Sequence, residues 1–187
     1  MRNHLIFCID DVLDLAAENL HGNEDLCNRP RILEALALAG MGNTETEAVV
    51  GLLYIAHEHG RLTLDRIYST PLPSDIREAL RQLHQNSLVD DPHPFHTRNE
   101  QIQRCLESPS VKNREGAKMA ILTICRSIIL LERRLKADLA DCLAVPEDDR
   151  DPGLELHISY IQRELKQLSL EKEAMCEKFG EKWFAAC

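Results

Sequence analysis

None of the seven cysteines in this 187-residue chain stands in a CxxC pair. Cys8, Cys27, Cys105, Cys125, Cys142, Cys176 and Cys187 are scattered singly and odd in number, a pattern that predicts free thiols in a reducing compartment rather than a disulfide frame. Long uncharged apolar runs are also lacking. The opening stretch MRNHLIFCIDDVLDL is broken by Asp10, Asp11 and Asp14, which fits neither a signal peptide nor a membrane span, so a cytoplasmic location is the expectation. Basic residues are scarce: 22 Lys and Arg stand against 31 Asp and Glu, a formal charge of −9 that disfavours nucleic acid or an anionic membrane as partner for the whole surface. A local basic pocket remains open. The chain shows no glycine-rich phosphate loop, no repeat and no convincing strand, so the expected class is all-α.

What is present is helical periodicity. With 44% hydrophobic residues, the chain can bury one core, and its length demands no second domain. Leu5, Ile9, Val12, Leu13 and Ala16 predict an amphipathic helix over about 3–20, ended by His21 and Gly22. NEDLCN reads as loop. Pro30 suits the first turn of a helix PRILEALALAG that Gly40 and Gly42 close. NTETEAVVGLLYIAHEHG offers Asn43 or Thr44 as N-cap, carboxylates in the first turn, and Gly60 as its stop. A short helix capped by Thr63 follows, then one beginning near Pro73 or Ser74 with Ile76, Leu80 and Leu83 inward.

Pro92 and Pro94 break the pattern before the helix RNEQIQRCL. A long helix follows, with Ala117, Ile121, Ile124, Ile128, Leu131, Leu135 and Leu139 on one stripe. AVPEDDRDPG reads as the clearest linker. The last helix, about 153–179, carries Leu154, Ile158, Ile161, Leu165, Leu168, Met175 and Phe179 near heptad spacing. The stripe is too short for a sustained coiled coil and is expected to pack on its own bundle, a homo-oligomer through this helix being the alternative.

Chemistry-bearing residues are few. His57 and His59, two apart on a helix, point in different directions and cannot share an ion as the i, i+4 histidines of HExxH do. Their placement near a helix C-terminus suits the dipole. His84, His93 and His96 surround the Pro-rich stretch at irregular spacing, a weak basis for a metal site. No nucleophile has a base beside it in sequence, and Cys125 lies on an apolar stripe, as an inert thiol does.

The order of several segments resembles the HD-domain phosphohydrolases, in particular the small alarmone hydrolases similar to the hydrolase half of RelA/SpoT proteins. That family has an H-x-GQ loop, P-x-I-x-H-P, a helix ending ALLHDxxED, LPxEVxEAL and VKLADxxxN. Here LHGNED, RPRILEALALAG, AVVGLLYIAHEHG, LPSDIREALRQL and GAKMAILTIC stand in that order, and LHISYIQREL resembles the closing helix with its tyrosine. The resemblance spans roughly residues 15–170 and implies a single-domain HD-type helical bundle.

In the family, two histidines and two aspartates hold a divalent metal, usually manganese, that activates water for phosphate-ester or pyrophosphate hydrolysis. Carried over, the first histidine falls on Glu34, the HD pair on Tyr54 and Ile55, and the later aspartate on Ile121. Glu58 retains one member of the acidic pair after the HD motif, His59 replaces the other, and Cys125 stands for the following asparagine. Isoleucine has no lone pair and a phenol is a poor ligand for a hard cation, so at most one of four positions still coordinates. A shifted alignment with Asp138 as the last ligand leaves the HD pair missing.

The implied reading is therefore a degenerate HD-domain protein without catalytic metal or other cofactor, acting by binding a nucleotide-like ligand or a partner protein, with Glu58 and His59 as remnant catalytic positions. The alternative is a manganese-dependent phosphohydrolase, of the guanosine polyphosphate hydrolase type, with a site rearranged onto Glu34, His57, Glu58 and His59, where His21 also remains. Arg29, Arg31, Lys112, Arg114 and Lys118 lie in the segments where the family grips its nucleotide.

Overall fold

The computed structural model describes residues 9–25, 29–84 and 94–187, with side chains from 97 onward in the last segment. The elements are α1 (Ile9–Leu20), α2 (Arg31–Gly40), α3 (Glu45–Glu58), α4 (Leu64–Ser69), α5 (Ser74–His84), α6 (Pro94–Leu106), α7 (Val111–Leu143), α8 (Pro152–Phe179) and α9 (Lys182–Ala185). Among the described residues there is no strand, only an isolated bridge between Glu24 and Pro30. The protein is an all-α bundle, and none of these helices is long and apolar enough to cross a membrane. The five described cysteines are free thiols, while Cys8 and Cys27 lie outside the described residues.

The helix starts follow local chemistry. Thr44 accepts the amide of Glu47 at 3.2 Å and Thr63 that of Arg66 at 3.3 Å, each relieving a first-turn N–H that has no partner within the helix. Asp151 does the same for Leu154 at 2.8 Å, with Pro152 next to it where a missing N–H costs nothing. The 144–151 segment thus joins α7 to α8 as a short turn, with Arg150 donating to Val145 O at 2.9 Å and Leu143 O at 3.2 Å.

Several boundaries differ from expectation. Pro30 precedes α2 rather than opening its first turn. Gly40 lies within α2, Met41 caps it in right-handed geometry, and neither Gly40 nor Gly42 takes a positive φ. Gly22, at φ 72°, does follow α1 in the left-handed region that glycine tolerates. The helix expected from Arg98 starts at Pro94, since proline is as good an N1 residue as it is a poor interior one. Residues 85–93 lie outside the described set.

One core joins the bundle. Val12 and Ala16 of α1, Ala35 and Leu38 of α2, and Val49 to Ala56 of α3 meet Ile76, Ala79, Leu80 and Leu83 of α5 and Ile102 of α6. Their common support is the first half of α7, where Ala117, Ala120, Ile121, Ile124, Cys125 and Ile128 are all buried. The stripe expected on α7 is buried as far as Ile128, after which Leu131 and Leu135 emerge into a cleft. Ile158, Ile161, Met175 and Phe179 of α8 are buried within the chain's own bundle, as expected for that helix.

Gly60 marks the closest approach in the turn after α3. A Cβ there would meet Ala56 O at 2.2 Å and Asn19 O at 2.9 Å, both backbone atoms that cannot swing away. Gly40 has open space around the same position. Gly60→Ala is expected to lose about 2 kcal/mol of stability through overpacking, whereas Gly40→Ala should be neutral or gain up to about 1 kcal/mol by restricting the unfolded chain. Denaturant unfolding of the two variants measures this, and equal stabilities would contradict the close approach.

Candidate functional site

The first turn of α2 sets Arg31 and Glu34 three residues apart on one face, and Arg31 Nη1 donates to Glu34 Oε2 at 2.5 Å. Glu34 is 3% exposed. From α7, Arg134 Nη1 reaches the same oxygen at 3.5 Å, while its Nη2 pairs with Asp25. Asp25 also accepts from Arg29 Nε at 3.2 Å, and Arg29 Nη2 continues to Asp138 at 2.5 Å. A connected chain of three guanidiniums and three carboxylates thus holds Asp25, Arg29 and α2 against the second half of α7.

All of these groups except Glu34 border a cleft of about 200 Å³, which Leu131, Leu135, Leu168, Tyr160, Glu164 and His59 also line. The lining mixes apolar and ionic groups, Arg134 and Asp138 sharing a face of α7 with Leu131 and Leu135. Burial, reinforced by the Arg31 charge and opposed by Glu34, holds the His59 imidazole below its ordinary pKa. Glu34 Oε1, buried, has no hydrogen-bond partner.

The positions where the HD family has its ligands divide between core and network. Ile55 is 1% and Ile121 0% exposed, both inside the common core, as is Cys125. Tyr54 packs on that core half-buried, and its hydroxyl is pushed well above the usual phenol range by burial first, then by Glu58 and Glu171, against the opposing Arg98. Glu34 is committed to two arginines. Two hydrocarbon side chains, a neutral phenol and one engaged carboxylate do not fit a hard divalent cation, which needs several oxygen ligands. Among the described residues, no three His, Cys, Asp or Glu side chains are grouped to hold an ion.

The HEH triplet at the end of α3 faces three surroundings. His57 Nδ1 donates to Leu62 O at 2.6 Å, and its Nε2 faces His84 Nδ1. His59 caps the helix through its N–H to Ile55 O at 3.0 Å and borders the arginine cleft. Glu58 reaches solvent between them, but the protein around its carboxyl desolvates it enough to hold it above the usual carboxylate range. Glu171 adds to the shift, while His57 and Arg98 oppose it. The residues of a rearranged site, Glu34, His57, Glu58 and His59, therefore do not converge on one point.

No protein-family model matches this chain, and no curated protein matches its sequence.

Of the basic residues singled out in the sequence, Arg29 and Arg31 border the cleft. Lys112, Arg114 and Lys118 lie at the other end of α7, about 24–33 Å from Arg134 at 1.5 Å per residue. There, Arg114 binds Ser108 O at 2.7 Å and Lys118 pairs with Glu115 at 2.8 Å. His21 borders a separate hollow with Ala17, Pro30 and Ile32. His93 and the His96 side chain lie outside the described residues. Sequence reasoning missed Arg134, whose partners Asp25 and Glu34 are remote along the chain. It also missed the buried pair Arg98–Glu171 at 2.5 Å, joining α6 to α8, for which no local pattern exists.

Because its folded-state pKa is raised, Glu58 favours folding most when protonated, and that advantage is lost as pH rises through the folded-state value. Glu58→Gln is therefore expected to melt above the parent at pH 7 and level with it by about pH 4, where both side chains are neutral. Thermal melts across this range test the sign, and a lower melting temperature for the variant at pH 7 would reverse it.

Proposed function

We propose that this protein is a degenerate HD-domain bundle that acts by binding rather than by catalysis. The carrying observation is the pair Ile55 and Ile121, 1% and 0% exposed, at positions where the resembling family places metal-binding aspartates. A carboxylate in either place without a cation would be an unpaired buried charge, whereas isoleucine fills the same space at no such cost. Arg31 and Arg134 clamp Glu34, so the remaining carboxylate of the set serves structure.

The seat that best suits a ligand is the cleft between α2, α7 and α8. Leu131, Leu135 and Leu168 beside Tyr160 suit a ring, and the guanidiniums in the same lining suit planar recognition of phosphate. Arg29 is the most exposed of the three, with 38% of its side chain open, and is the one best able to turn from Asp138 toward a ligand. A nucleotide-like ligand matches this mixed lining.

The test combines manganese calorimetry, a phosphate-release assay on guanosine tetraphosphate, and metal-free titration with the same nucleotide. Nucleotide binding without turnover is expected, weakened about tenfold in Arg29→Gln by loss of a charge-assisted contact. Stoichiometric manganese binding together with hydrolysis would overturn the non-catalytic reading. Absence of nucleotide binding would overturn the ligand assignment.

A further inference from the structure

A second place in the molecule carries chemistry that the arginine cleft does not use. The last turn of α3 presents His57, the last turn of α5 presents His84, and the two rings meet edge to face with centroids 4.4 Å apart and planes at 63°. His57 Nδ1 donates to Leu62 O at 2.6 Å, which fixes the tautomer and leaves the Nε2 lone pair directed at Nδ1 of His84. An imidazole oriented by a backbone carbonyl through one nitrogen and presenting the other is the usual arrangement of a metal-binding histidine.

We propose that His57 Nε2 and His84 Nδ1 are the two protein ligands of a site for a borderline divalent cation such as Zn²⁺, with water completing the coordination. The ion takes the place of the proton between the two nitrogens, and neutral His84 then carries its single ring proton on Nε2 instead of Nδ1. A tetrahedral zinc holds two imidazole nitrogens about 3.3 Å apart, a separation reached by turning the half-buried His84 ring at the end of its helix. The pair opens onto a hollow of about 400 Å³ bordered by Gly60, Arg61, Thr63 and Asp65, which admits the ion with its water. Asp65 favours a cation there and Arg61 opposes it.

Two imidazoles select zinc, copper or nickel over magnesium, calcium or manganese, which prefer oxygen. Bound metal would clip the end of α3 to the end of α5 across the segment that enters α4. This inference does not rest on the proposed binding function, because the two clefts use different faces of the HEH triplet.

The experiment is titration of the untagged, chelator-stripped full chain with Zn²⁺ at pH 7 against a chromophoric chelator, alongside ¹⁵N imidazole spectra of the same protein. One equivalent is expected, with coordination shifts at Nε2 of His57 and Nδ1 of His84, and with affinity falling steeply below about pH 6 as protons compete. His84→Gln should weaken binding at least tenfold, while His157→Gln should leave it unchanged. The parent spectra carry the test even if a variant misfolds. No zinc binding, or zinc held by a set of histidines that excludes His57 or His84, would overturn the proposal.

Discussion

The burial of α7 between Gly116 and Ile128 is the constraint on which the rest of the bundle depends. Over this stretch the helix is covered on almost every side: Ala117, Ala120, Ile121, Thr123, Ile124, Cys125, Arg126 and Ile128 are all buried. α5 crosses so closely at Gly116 that a Cβ would lie 2.8 Å from Glu78 Cγ and 3.1 Å from the Ala79 amide. α3 packs against α7 through the apolar run Val49–Ala56, and α6 and α8 complete the enclosure. Even the charge in this region is internal: Arg126, 2% exposed, pairs with Glu47 of α3 at 2.7 Å. Removing either partner would strand a buried ion, a loss of several kcal/mol in comparable cases.

A helix enclosed in this way gives its inward positions little choice. A carboxylate at Ile121 needs a cation, a guanidinium or a proton to be tolerated, and its surroundings are hydrocarbon. Loss of metal chemistry and tight packing are, on the proposed reading, two descriptions of one substitution pattern. Polar chemistry is displaced to where α7 leaves the core. Beyond Ile128, Leu131 and Leu135 are half-buried, and Arg134 and Asp138 anchor the network with Asp25, Arg29 and Glu34. On the proposed reading, the bundle is dry where the resembling family is ionic, and its ionic groups begin about two to three turns beyond Ile128.

Much of the architecture was legible because it rests on local rules. Thr44, one of the two residues offered as N-cap of α3, and Thr63 cap their helices, and the apolar stripes of α5 and α8 face inward. AVPEDDRDPG is a turn between α7 and α8. What was not legible depends on tertiary distance. Gly60 looked like a helix stop and serves as a close approach between two backbones, which no spacing rule reveals. The stripe of α7 gave no sign that it passes from core to cleft at Ile128, since leucine suits both. Arg98 and Arg134 were not singled out in the sequence, because their partners Glu171 of α8 and Asp25 are remote along the chain. The divergence of His57 and His59 followed from helical geometry alone, whereas the meeting of His57 with His84, 27 residues later, did not.

The central claim is that the ground between Glu34, Tyr54, Ile55 and Ile121 has been given over from coordination to packing. The most direct measurement is anomalous diffraction at the manganese edge from crystals soaked in Mn²⁺. The account predicts no peak within coordination distance of Glu34 or Tyr54 and continuous side-chain packing around Ile55 and Ile121. A manganese peak ligated by Glu34, with Arg31 and Arg134 swung away from it, would contradict the account.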